Sequence, residues 1–225
     1  MHLLVLVCNG VRLPYRAAWT LAGCGKSPAE TFAARGAILN DMRRGILAII
    51  LGCVLLPGAR GGNDLVGAPA PPLELRQWIH SPPLDVQALR GKVILIRWWT
   101  DGCSLCTATA PAVRKLQQKY AARGFQVIGV YHPKPPGAAD LERVRRAAAE
   151  LGFTFPIAVD ADWKALRRWW LNQGPRDFTS VSFVIDKRGI IRYIHSGGEF
   201  HEGEHASCRR DYQQIDELIE RLLAE

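Results

Sequence analysis

Cys103-Ser104-Leu105-Cys106 is the stretch of this sequence best suited to chemistry. A cysteine at a helix N-terminus faces unpaired backbone N–H groups and the positive end of the helix dipole. Both favour thiolate over thiol and lower the thiol pKa from about 8.5 toward neutrality. Cys103 is then the exposed nucleophile and Cys106, one turn deeper, the buried resolving thiol. Attack by Cys103 on a disulfide gives a mixed disulfide, which Cys106 displaces to leave the Cys103–Cys106 pair oxidised. The competing chemistry is half of a zinc site, but a zinc ribbon needs a second Cys-x-x-Cys and the sequence has none.

A second group of reactive side chains lies near the C-terminus. His195, His201, His205 and Cys208 fall close together, and His-x-x-x-His-x-x-Cys offers ligands of the type zinc or copper prefers. The alternative is a polar loop (GGEFHEGEH) leading into a final helix. Folded over the active site, that loop would make Cys208 a third redox thiol. His132 ends an apolar run at the sheet edge where the cysteines are expected, placed to move protons for the thiols, to bind a metal, or to sit in a surface loop beside Pro133. Five tryptophans, Trp98, Trp99, Trp163, Trp169 and Trp170, suit either an apolar groove or core packing.

The elements that must position these residues follow from pattern. Residues 93–98 (VILIRW) form a continuous apolar run with β-branched members, the mark of a strand buried on both faces. The spacing of Leu105, Ala108, Ala112, Leu116 and Tyr120 predicts a helix over 104–123, kinked at Pro111 and stopped by Gly124. A second buried strand is expected over 125–131, a helix over 140–151, a short strand over 155–159 and a helix over 162–171. Residues 182–185 and 190–195 read as a hairpin around Asp186–Gly189, and 211–223 as a closing amphipathic helix. Residues 62–92 are read as a Gly/Pro-rich leader followed by a short hairpin. Strands alternating with helices give an α/β fold with a central mixed sheet flanked by helices on both faces.

The chain has 225 residues, 48% of them hydrophobic, and a formal net charge of +8. Residues 1–61 hold seven Lys/Arg against two Asp/Glu, so the basic excess is mostly theirs, and no nucleic-acid partner is expected. Met42 is followed by Arg43-Arg44, an apolar run over 46–56 and a small-residue exit, as in a secretory signal peptide or an uncleaved membrane anchor. Met42 is therefore a candidate start, and Ile50-Leu51-Gly52-Cys53 is similar to a lipoprotein box. The division expected is an N-terminal segment over 1–61 and one domain over 62–225. Cys8, Cys24 and Cys53 fall in the first, leaving Cys103, Cys106 and Cys208 in the second.

The second part resembles the thioredoxin superfamily, and within it the TlpA/ResA-like redoxins of secreted or membrane-anchored bacterial proteins. The resemblance is carried by VILIRWWTDGCSLC, Pro111, GFQVIGV, LGFTFPIAVD and SFVIDKRGIIRYIHSGG. It implies a thioredoxin fold with a small β-α insertion, and reduction or exchange of protein disulfides in the periplasm or cell envelope. It also implies no cofactor beyond the cysteine pair, and a membrane partner as electron donor. Trp99 matches the family's tryptophan before the first cysteine and, with Thr100, His132, Thr179 and Ser180, is expected at the active-site rim. Three departures stand out. Ser180, preceded by Thr179, occupies the position of the family's cis-proline. Gly102 stands where a tryptophan is common. Arg97 stands where relatives carry a buried Asp or Asn that assists proton transfer; an arginine there stabilises a thiolate or is simply solvated at a strand edge.

Two other functions compete. Thr100-x-x-Cys103 matches half of the peroxiredoxin signature, but Ile96 replaces the proline that should precede it. A metal-binding or copper-delivery module on the same fold is the second, motivated by the missing cis-proline and the C-terminal histidines.

Overall fold

The computed structural model describes residues 62–176 and 178–225; the N-terminal segment over 1–61, with its signal-like pattern and three cysteines, lies outside the described residues. Six strands form one mixed sheet: β1 (Trp78–Ile79), β2 (Val93–Trp99), β3 (Phe125–Tyr131), β4 (Ile157–Val159), β5 (Ser182–Ile185) and β6 (Ile191–His195). Their spatial order is β1-β4-β3-β2-β5-β6. The β2/β3 and β3/β4 pairs are parallel, whereas β5 runs antiparallel to β2 and to β6. This places β2 inside the sheet with neighbours on both edges, which is why its sequence is an unbroken apolar run save for Arg97.

The period of two in each strand sorts side chains to opposite faces. Val93, Leu95 and Trp99 of β2 and Val127 and Tyr131 of β3 face one way. They pack with α1 (Ser104–Tyr120), α2 (Leu141–Glu150) and α4 (Ala206–Ala224). Ile94, Ile96 and Trp98, with Ile128 and Val130, face the other way, against α3 (Lys164–Trp169) and the leader residues Leu73, Trp78, Val86 and Leu89. On this second face Trp98 meets Trp169 at 5.4 Å and Phe183 edge-on at 5.6 Å. The tryptophans are thus largely core.

Three expectations are corrected. The leader forms no hairpin of its own among the described residues. Instead β1 pairs antiparallel with β4, Trp78 opposite Ala158 and Ile79 opposite Ile157, because both side chains find the core only at the sheet edge. The last helix begins at Ala206, five residues earlier than the amphipathic pattern indicates, so that Cys208 enters the core with it. Arg97 is not at a solvated edge: it lies on β2 between Gly129 and Ser182 and is 2% exposed.

Helix α3 is short and depends on an acid for its start. The Asp160 carboxylate, fully buried, accepts the Ala165 N–H at 3.1 Å and the Leu166 N–H at 2.7 Å. Asp160→Ala leaves both donors orphaned in the core, and a stability loss of about 2 kcal/mol is expected in urea unfolding. A loss indistinguishable from zero would mean that the cap carries no load.

Candidate active site

The parallel β2/β3 pair ends at one sheet edge, and the site is assembled there. After Trp99 and Thr100 the chain turns through Asp101-Gly102 into α1. Gly102 has φ of +66°, a left-handed conformation that a tryptophan would occupy only with strain, which accounts for the glycine at this position. Cys103 is the N-cap of α1, and its sulfur accepts the Cys106 N–H at 3.2 Å. The helix terminus therefore satisfies one of its orphan donors with a sulfur, and that bond strengthens when the sulfur is negative.

The two thiols, both free in this structure, differ in environment. Cys103 is partly exposed, whereas Cys106 is 3% exposed. Burial alone would raise the Cys103 pKa. The Cys106 thiol and N–H, the Ser180 hydroxyl and the positive charge of Lys134 outweigh it and bring the pKa below the ordinary thiol value. Burial pushes Cys106 the other way, with Cys103 adding to the rise and Arg97 and Ser180 opposing it. The expected result is that iodoacetamide at neutral pH alkylates Cys103 well ahead of Cys106, and still does so as the pH falls below the ordinary thiol range. Time-resolved peptide mass spectrometry reads this directly; faster labelling of Cys106 would reverse the assignment.

Ser180 stands over both thiols. Its Oγ is 3.3 Å from the Cys106 sulfur and 4.0 Å from that of Cys103. Behind it Arg97 donates to the Ser180 carbonyl at 2.7 Å, the Ser182 hydroxyl at 3.1 Å and the Gly198 carbonyl at 3.0 Å. The guanidinium also lies 5.6 Å from the centre of the Phe200 ring. Thr100, 4% exposed, contributes its backbone beside Cys106, while its hydroxyl turns to Asp101. Asp101 in turn receives the Tyr131 hydroxyl at 2.8 Å and Arg143 at 2.6 Å, which fixes the turn before Cys103.

Other expected site residues fall elsewhere. Trp99, expected at the rim, is 1% exposed and packs edge-on against Tyr131 and Phe153. Gly129 leaves room for it, since a Cβ there would lie 3.1 Å from the Trp99 Nε1. His132 is no surface loop residue: it is fully buried, stacked 5.3 Å from Trp163, and burial lowers its pKa to about 4. It is thus neutral at pH 7. Thr179 precedes Ser180 as expected, with its hydroxyl oxygen buried.

The C-terminal group is brought together only in part. His201 and Cys208 meet, joined by Glu199, with one ligand atom from each within 4.8 Å of the others. His205 is not of that group; it is the exposed N-cap of α4, its ring 6.4 Å from that of His201. Glu199 escaped the sequence reading, although it lies two residues before His201. The His201 Nδ1 accepts the Gly203 N–H at 2.9 Å, so the neutral ring carries its proton on Nε2, 3.8 Å from the Glu199 carboxylate. The Cys208 thiol faces the same carboxylate at 3.8 Å. The three groups thus lie close together without a direct hydrogen bond between His201 and Glu199. The loop does approach the active site, but through Phe200, fully buried against Arg97, rather than through Cys208.

The sequence profile described as Redoxin matches residues 65–210. The chain belongs to the redoxin family. This redoxin is 34% identical over 154 residues to Protein DipZ of Mycobacterium tuberculosis, an alignment covering 65% of the chain and 19% of DipZ. The chain thus spans about a fifth of the length of that relative. It is 27% identical over 150 residues to thiol-disulfide oxidoreductase YkuV of Bacillus subtilis, covering 67% of the chain and 90% of YkuV. A solved thiol:disulfide interchange protein of the thioredoxin family from Chlorobium tepidum superposes with a TM-score of 0.53 at 20% identity, covering 69% of the redoxin and 95% of that structure. That likeness establishes the thioredoxin fold. Within this redoxin the residues that depart from the expected pattern, Arg97, Gly102 and Ser180, all lie around the cysteine pair.

Proposed function

We propose that this redoxin is a thiol–disulfide oxidoreductase that reduces or exchanges protein disulfides through Cys103 and Cys106. The observation that carries the reading is the Cys103 sulfur seated as the α1 cap on the Cys106 N–H, with a lowered pKa, beside a buried second thiol. Cys103 attacks one sulfur of a substrate disulfide and releases the other as a thiolate. Cys106 then attacks Cys103, the substrate's remaining sulfur leaves and takes up a proton, and the pair ends as a disulfide. No further cofactor enters these steps.

The names of YkuV and of the Geobacillus kaustophilus relative, thiol-disulfide oxidoreductase ResA, support this activity. Partners are then protein thiols and disulfides, with a membrane protein as electron donor. Location outside the cytoplasm is supported by the signal-like pattern over 42–61, which lies outside the described residues. Among the described residues no helix is long and apolar enough to cross a membrane. Intact mass of the native protein tests Met42 as the start: a mature form retaining residues 1–41 contradicts it.

The test of activity is equilibration of the protein with dithiothreitol buffers followed by thiol trapping. A reversible two-electron couple is expected, lost in Cys103→Ser and in Cys106→Ser. A potential near about −270 mV marks a reductant and one near about −120 mV an oxidant. Absence of any couple, or peroxide turnover without disulfide reduction, overturns the reading.

A further inference from the structure

The resolving step asks for a thiolate at Cys106, yet that sulfur is buried and its pKa is raised. Beside it, on the same face of β2 as Leu95 and Trp99, lies Arg97. A charged side chain is almost never fully buried unless an opposite charge neutralises it. Arg97 is 2% exposed and its hydrogen bonds go to neutral acceptors only: the carbonyls of Ser180 and Gly198 and the hydroxyl of Ser182. Among the described residues no carboxylate pairs with it. Among the described residues, the groups whose negative charge bears on this cation are the two thiols, Cys106 ahead of Cys103.

We propose that Arg97, with the Ser180 hydroxyl, holds the Cys106 thiolate during resolution, so that a buried cation rather than a proton acceptor readies the second thiol. The inference rests on the dithiol reading above and assigns the residues that govern its second half. Ser180 contributes twice. Its Oγ, 3.3 Å from the Cys106 sulfur, accepts from the thiol or donates to the thiolate as the hydroxyl rotates. Its carbonyl is held by Arg97, and the next carbonyl, that of Val181, accepts the Trp98 N–H, so the hydroxyl is fixed relative to β2.

The other groups around the pair do not substitute for Arg97. The α1 terminus donates its N–H to Cys103, and Lys134, from the loop after β3, acts on Cys103. His132, directly after β3, and His195 from β6 are neutral until the pH falls to about 4. In the resolving step Cys103 is already bound in the mixed disulfide. The Cys106 electron pair forms the new S–S bond, the bond from Cys103 to the substrate breaks, and its electrons leave with the substrate sulfur. The proton lost by Cys106 passes to solvent, from which the substrate thiolate is protonated.

The test begins in the Cys103→Ser variant, where Cys106 titrates without its partner and its thiolate is followed by the pH dependence of alkylation at that residue, read by peptide mass spectrometry so that Cys208 and the N-terminal cysteines do not enter. Adding Arg97→Met is expected to raise its pKa by a unit or more, about tenfold less thiolate at a given pH below the pKa. Arg97→Lys restores most of the shift, which mere packing would not do, and Ser180→Ala raises the pKa by less. With Cys103 present, Arg97→Met lengthens the lifetime of the mixed disulfide. The increase is about threefold per unit, because the loss of thiolate is partly offset by its greater nucleophilicity. An unchanged Cys106 titration in the Arg97 variants overturns the proposal. Should Arg97→Met fail to fold, Arg97→Lys and Ser180→Ala decide it, and unchanged titration in both has the same force. An unchanged titration in a protein that retains its two-electron couple overturns only this inference, whereas loss of the couple in the unaltered chain overturns the oxidoreductase reading itself.

Discussion

Cys103→Ser is expected to bring disulfide reduction down to the uncatalysed background, whereas Cys106→Ser is expected to stop after one half-reaction. The asymmetry follows from the geometry. Cys103 is the partly exposed sulfur at the helix cap and the one whose pKa is lowered. A hydroxyl in its place stays protonated and cannot attack sulfur at neutral pH. Cys106 is buried behind it and meets substrate only through Cys103. Without Cys106 the mixed disulfide forms and persists. Mass spectrometry of each variant incubated with a disulfide-bonded peptide separates the cases: an adduct of one peptide strand on Cys106→Ser and none at position 103 of Cys103→Ser. A stable adduct on Cys106 in the Cys103→Ser protein would exchange the two roles.

Acid is expected to loosen the fold well before the carboxylates are protonated. His132 is fully buried and His195 is 6% exposed, and both have pKa values lowered from 6.5 to about 4. Burial is the main cause in each; the charge of Arg97 adds to it for His195, and those of Lys134 and Arg97 for His132. Between pH 4 and 6.5 the unfolded chain binds protons that the folded one refuses, so stability rises with pH through this window. It is fully present above about pH 6.5 and is lost as the pH falls toward 4, by up to about 3 kcal/mol for each histidine. Asp101 and Asp186, whose pKa values are lowered, release their stabilisation further down, and Asp160, raised by burial, works in the opposite sense. The histidine contribution is therefore read by difference. Urea midpoints measured from pH 4 to 7 are expected to fall steeply for the wild type and less steeply for His132→Phe and His195→Gln. Parallel profiles would show that neither histidine is held neutral by the fold.

The sheet and the cysteine pair were legible in the residue pattern because both depend on local signals. A run such as VILIRWW is apolar on both faces only where both faces are covered, and two cysteines after such a run fall at a helix start. What was not legible depends on contacts across long stretches of chain. Arg97 looks like an edge residue until β5, more than eighty positions on, is seen to flank it with Ser182. Trp99 suits a rim or a core equally until Gly129 of β3 makes room for it. The start of α4 lies earlier than the pattern indicates because Cys208 continues its apolar face into a segment dominated by charge. His201, His205 and Cys208 share a ligand spacing, but only the fold reveals that Glu199 rather than His205 completes the group.

The leader has a consequence for how this protein lives and ages. Leu73, Trp78, Val86 and Leu89 cover a sheet face whose other side of the seam is Trp169, Trp170 and Phe183. Residues 62–92 are therefore part of the cooperative folding unit and not a flexible tether, although their proline and glycine content reads as one. A protease cut there would uncover a wide aromatic patch on an otherwise charged surface, of the kind that drives self-association. Where along residues 62–92 a cut fell would decide the outcome: one before Leu73 leaves these four covering side chains attached, one after Leu89 strips them all from the seam.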